Sequence, residues 1–192
     1  MRRHRVDDVH IPDKLELPEN PERISREFLF EVITPMFGGD AKSWQIDREN
    51  PVRVQSIKGQ LRFWWRTMQH ESDQKTLLHR ENSLWGGVCG DGDDDRIKSL
   101  VSLSLIVSMR PRLQQFVLED SGYAVKGDII PKYVSFPVTD RIKKNEQIQF
   151  VVAMQFKLAV NFQRQDETEV LDTLRLWILF GGVGARTRRG AG

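Results

Sequence analysis

Apolar and polar positions follow two different periods along this chain. In "EFLFEVITPMF", Phe28, Phe30 and Val32 alternate with Leu29, Glu31 and Ile33. That period of two predicts a strand, ended by Pro35 and Gly38–Gly39. "SIKGQLRFWWRTMQH" (56–70) changes period. Ile57, Leu61, Trp64, Trp65 and Met68 fall on one face of a helix. "LVSLSLIVSM" (100–109) returns to alternation, with Val101, Leu103, Leu105, Val107 and Met109 set against serines. "QIQFVVAMQFKLAV" (147–160) keeps period two from Ile148 to Val160. "DETEVLDTLRLWILF" is helical again, with Val170, Leu171, Leu174, Trp177 and Ile178 on one face. Asp166 with Glu169 three residues later fits a capping box, and Gly181–Gly182 stop the helix. Residues 40–55 and 110–146 read as irregular, apart from a short strand candidate at "YVSFPV".

The predicted order is strand, helix, strand, strand, helix, glycine-rich loop. This is an α+β fold: a ferredoxin-like (RRM-like) βαββαβ unit lacking its final strand. Either the chain is part of a longer one or another chain supplies that strand. Residues 1–24 hold few large apolar side chains and three prolines, which suits an N-terminal arm. The ferredoxin-like domain then runs over 25–192.

Charge matters only locally. The net charge is +2, so any affinity for nucleic acid must come from clustering. One cluster is the terminal "GGVGARTRRGAG". Its glycines let backbone N–H groups face an anion, and Arg186, Arg188 and Arg189 add planar forks suited to phosphate. The alternative is a flexible basic tail. It matches neither a Walker loop nor a dinucleotide fingerprint. A second cluster is Lys58, Arg62 and Arg66, spaced by four along the first helix. They form either a binding stripe or an ordinary solvated face. Gly59 beside them lets another backbone come close.

"TPMFGGD", "IKGQLRFWWR", "SLWGG" and "LFGGVGARTRRGAG" together resemble the RAMP superfamily of CRISPR-associated proteins. More narrowly they are similar to the N-terminal half of the first RAMP subunit of type III-B (Cmr) effector complexes. The resemblance runs from about Phe28 to Gly192; residues 90–146 carry no matching motif. It implies a non-catalytic subunit of an RNA-guided antiviral complex, with guide RNA, target RNA and other RAMP subunits as partners. It implies Gly182, Gly184, Arg186, Arg188, Arg189 and Gly190 as an RNA-contacting loop, with Lys58, Arg62 and Arg66 as a basic surface leading to it. Family members continue well past this loop, with a second ferredoxin-like half.

The rival expectation is a metal-independent RAMP endoribonuclease that processes guide RNA. It requires a histidine base, and the histidines are His4, His10, His70 and His79. His70 closes the first helix and His79 falls in a predicted loop. Asp40 reads as a turn residue after Gly-Gly. Asp91 and Asp93–Asp95 do not fit an EF-hand, and Cys89 has no CxxC partner. No cofactor or metal is expected. Trp64, Trp65 and Trp177 belong to apolar helix faces, whereas Trp44 and Trp85 in predicted loops are the better candidates for base stacking, with packing the favoured alternative even there. No apolar run is long enough to span a membrane, and the lone cysteine suits a reducing cytoplasm.

Overall fold

The computed structural model describes residues 22–38, 45–88, 96–117, 142, 147–185 and 187. Strand β1 spans Arg23–Glu31, helix α1 Val54–Met68, and helix α2 Gln74–Trp85. A two-residue ribbon pairs β2 (Gly87–Val88) with β3 (Arg96–Ile97). Strands β4 (Ser102–Gln115) and β5 (Gln149–Gln163) follow, then a 3-10 turn at Arg164–Asp166 and helix α3 (Glu167–Phe180).

β5 is the central strand of a three-stranded sheet ordered β1–β5–β4, antiparallel throughout. Its alternation explains that place. Met154, Phe156, Leu158, Val160 and Phe162 are buried, while Gln155, Lys157, Ala159, Asn161 and Gln163 lie on the other face. A strand with one apolar and one polar face can be covered on one side only. The helices take the apolar side. Ile57, Leu61 and Trp65 of α1 and Val170, Leu174 and Trp177 of α3 pack there. Phe30 stacks on Phe156 with ring centres 5.2 Å apart, and lies 5.3 Å from Trp177.

The structure departs from the sequence reading in several places. β1 begins at Arg23, so the last two residues of the expected arm are strand. α1 runs over 54–68 rather than 56–70, leaving His70 beyond its end. β4 continues to Gln115, through residues expected to be irregular. Register shifts between Val107 and Arg112 turn Met109 outward, where it is 38% exposed. Pro111 is tolerated because β4 is an edge strand. Asp166 stands at the start of α3 but makes no capping bond. The 3-10 turn brings it in at φ −93°, ψ 1°, not the extended backbone a capping side chain needs. Helix α2 was not foreseen; its N-cap is Asp73, which accepts from the Thr76 N–H at 2.9 Å. His79 and Trp85 therefore lie on a helix rather than in loops, and Trp85 is fully buried, which is the packed alternative to base stacking. "YVSFPV", Trp44, Asp40, Cys89, the aspartate run, His4 and His10 lie outside the described residues.

Candidate nucleic-acid interface

The loop after α3 is built against the connection that follows β1. Met36 is fully buried and bridges to β5, exchanging backbone bonds with Val151 at 2.9 and 2.7 Å. Ala185 donates its N–H to the Phe37 carbonyl at 2.7 Å. Gly184 has φ +95°, and a Cβ there would fall 2.4 Å from Met36 Cγ. Gly38, at φ +92°, would bring its Cβ within 3.0 Å of Ala185 Cβ. Both positions need glycine twice over, for the left-handed backbone and for the close approach. Gly181–Ala185 is thus anchored to the sheet through Met36.

Two cavities flank this loop. One, of about 270 Å³, lies between Gly184–Ala185 and the start of α1, where Arg53, Ser56 and Gln60 line it. α1 has no side-chain cap and no acidic residue in its first turn. Its first N–H groups and the positive end of its dipole are therefore uncompensated by this helix's own side chains. The second cavity, of about 370 Å³, is lined by Gly59, Phe63, Trp64, Phe180, Gly181 and Thr187 among others. Trp64 bridges the helices here, with ring centres 5.2 Å from Phe63 and 5.9 Å from Phe180. Gly182 lines a separate apolar cleft with Phe30 and Trp177.

Two hydrogen bonds fix α1 against α3. Trp177 Nε1 donates to Gln60 Oε1, and Trp65 Nε1 to Glu169 Oε1, each at 2.8 Å. Glu169 thus accepts from an indole instead of closing a capping box.

The basic stripe is on the other flank of α1. At about 100° per residue, the row Lys58–Arg62–Arg66 lies about 160° around from Ser56–Gln60–Trp64. It faces α2. Arg62 Nε donates to Glu81 Oε1 at 2.5 Å, Nη1 to the Gly86 carbonyl and Nη2 to Asn82 Oδ1, both at 3.1 Å. Arg66 Nη1 donates to the same Glu81 oxygen at 2.7 Å. Lys58 Nζ donates to Ser99 Oγ at 3.0 Å. Burial, helped by the nearby Arg62 charge, pushes the Lys58 pKa below its ordinary value. α2 has no basic residue in its last turn, so Arg62 supplies the cation at its C-terminal end. Gly59 and Phe63 lie between the two flanks on the exposed crest of α1. A Cβ on Gly59 would meet nothing within 4 Å.

The structure thus brings Gly184 and the start of α1 together, and sets Lys58, Arg62 and Arg66 apart from them. Arg186, Arg188, Arg189 and Gly190 lie outside the described residues. Glu81, 2% exposed, is the residue that sequence reasoning missed. A carboxylate in a polar stretch gives no periodic signal, though its charge opposite two arginines does give a chemical one. Among the described residues there is no cluster of three or more metal-ligating side chains. No described helix is long and apolar enough to cross a membrane.

The family model of the RAMP superfamily matches residues 29–192. The chain belongs to the RAMP superfamily. The match begins within β1 and takes in both helices of the sheet layer, β4, β5 and the glycine-rich loop. Among solved structures, this RAMP chain is similar to the crystal structure of Cmr1 from Pyrococcus furiosus in its apo form. The TM-score is 0.58 at 21% identity, over 88% of this chain and 48% of that one. The likeness is one of fold, and this chain spans about half the length of that protein. No curated protein sequence matches it.

Proposed function

We propose that this protein is a non-catalytic RNA-binding subunit of a type III CRISPR effector complex, contacting guide RNA, target RNA or both, with other RAMP subunits as neighbours. The observation that carries the reading is the anchored loop. A glycine-rich segment within a RAMP-superfamily match is held beside the uncapped start of α1, across a cavity. Backbone N–H groups and a helix N-terminus favour phosphate. The arginines that follow, Arg186, Arg188 and Arg189, extend the same chemistry along an RNA backbone. Such contacts read shape and phosphate spacing more than base edges.

The strand order supports a finer reading of the fold. β1–β5–β4, with helices after β1 and β5, is the order of a ferredoxin-like βαββαβ unit whose closing strand belongs on the outer edge of β1. The non-catalytic role is supported by the two described histidines. His70 and His79 are exposed, and neither lines the cavities beside the loop. The setting that fits is the cytoplasm.

The test is to isolate the protein from cells that make it and sequence the RNA that accompanies it. The expected result is a set of short RNAs sharing a repeat-derived 5′ tag, together with other RAMP subunits. RNA no higher than background would overturn the reading. Cleavage of bound RNA in EDTA, lost on replacing His70 or His79, would overturn the non-catalytic part and favour guide processing.

A further inference from the structure

The three cations of the α1 stripe are not equivalent. A guanidinium has five N–H donors in a rigid fork. Arg62 uses all three of its nitrogens on α2 and its end, at Glu81, Asn82 and Gly86. It is 29% exposed and holds the two helices together. Arg66 is 43% exposed, and among the described residues only its Nη1 is engaged, on the Glu81 oxygen that Arg62 also uses. The Nε–Nη2 edge of Arg66 is left, and that edge of the fork suits bidentate contact with a phosphate. The charges point the same way. One carboxylate faces two guanidiniums, so the cluster keeps one positive charge in excess, and Lys58 beside it adds another.

We propose that Glu81 is a positioning residue for RNA: it locks Arg62 as a structural tie and holds Arg66 with its outer edge presented to a backbone phosphate. The inference rests on the RNA-binding reading given above. Glu81 is 2% exposed, so its carboxylate is walled in by the helices and acts as a fixed anchor. An anchored guanidinium loses less conformational freedom on binding than one on a mobile stem.

Titration of the full chain with a fluorescent single-stranded RNA tests this, with Glu81→Gln and Arg66→Lys beside the wild type. Glu81→Gln adds one unit of positive charge. If the stripe acts by charge alone, that variant binds more tightly. Positioning predicts the opposite: affinity falls about tenfold, and the slope of log K against log salt shrinks by about 0.7, one single-strand phosphate contact. Arg66→Lys keeps the charge and loses the fork, and shows the same loss. Thermal melts run alongside; if Glu81→Gln does not fold, Arg66→Lys decides, because Arg66 is exposed.

Unchanged or tighter binding by folded Glu81→Gln, or unchanged binding by Arg66→Lys, overturns the inference. Replacing Arg186, Arg188 and Arg189 with alanine separates the two levels. If that variant loses RNA while Glu81→Gln and Arg66→Lys do not, the RNA-binding reading stands and the role of Glu81 falls. If the wild type binds no RNA, both fall.

Discussion

Gly184 lies against Met36 so closely that a single methyl group on it would fall 2.4 Å from the Met36 Cγ. Met36 is itself bonded to β5, so the glycine-rich loop rests on a fixed floor. Gly184→Ala must then leave its φ of +95° or push the loop off Met36. The left-handed backbone alone costs an alanine about 1–2 kcal/mol. The expected result is a drop of roughly that size in unfolding free energy by urea titration, with weaker RNA binding. A variant as stable as wild type would show that the loop is not held at Met36.

Gly59→Ala should act in opposite directions on stability and binding. Glycine inside a helix costs about 0.5–1 kcal/mol relative to alanine, and the added Cβ meets nothing in this chain. The variant is expected to be more stable by about that amount. Gly59 also lies on the crest between the loop flank and the basic flank of α1, where an RNA backbone touching both must cross. Affinity is expected to fall while the melting temperature rises. A rise in both would take the RNA path away from this crest.

Arg62→Ala removes a partner from a carboxylate that is 2% exposed. Breaking a buried ion pair costs about 3–5 kcal/mol. Arg62 is partly exposed and Arg66 still reaches Glu81, so the expected loss is nearer 2 kcal/mol. Differential scanning calorimetry measures it. A neutral effect would mean that the Arg62 bonds to α2 add nothing to what its buried side chains and Arg66 already provide.

Asp166 gives a pH dependence of defined sign. Burial, and next the charge of Glu169, raise its pKa above the ordinary value of 3.8. Its Oδ2 is buried with no hydrogen-bond partner. The folded state therefore holds this proton more tightly than the unfolded state. Stability falls as pH rises from 3.8 through the raised pKa. Asp166→Asn is expected to be more stable than wild type at neutral pH, and the gain should vanish below that window. Urea midpoints measured across pH decide it: a constant difference between the two proteins would rule out this titration as the cause.

Period-two runs placed β1, β4 and β5, and helical spacing placed α1 and α3, because those elements each bury one regular apolar face. α2 escaped because part of what it buries is polar. Glu81 and Asn82 are 2% exposed and are accommodated by bonds from Arg62 on a neighbouring helix. No periodicity search sees a buried carboxylate whose partner lies elsewhere in the chain. Trp85 packs as its apolar ring favours, but at the end of this helix rather than in a loop. Met109 turned outward because a register shift in an edge strand leaves no trace in an alternating sequence. At the site, Gly38 and Gly184 were readable as loop positions, but not that the two loops lie against each other. The four-residue spacing of Lys58, Arg62 and Arg66 was readable too, but not that α2 would face it.

The most direct measurement of the central claim is the salt dependence of RNA affinity for the full chain, with and without Arg186, Arg188 and Arg189. Each single-strand phosphate contact contributes about −0.7 to the slope of log K against log salt, so three arginines contribute about −2. Replacing the three with alanine is expected to weaken binding and to make the slope shallower by about that amount. An unchanged slope and affinity would contradict the account, and would leave the anchored loop as a docking element for protein rather than a cradle for RNA.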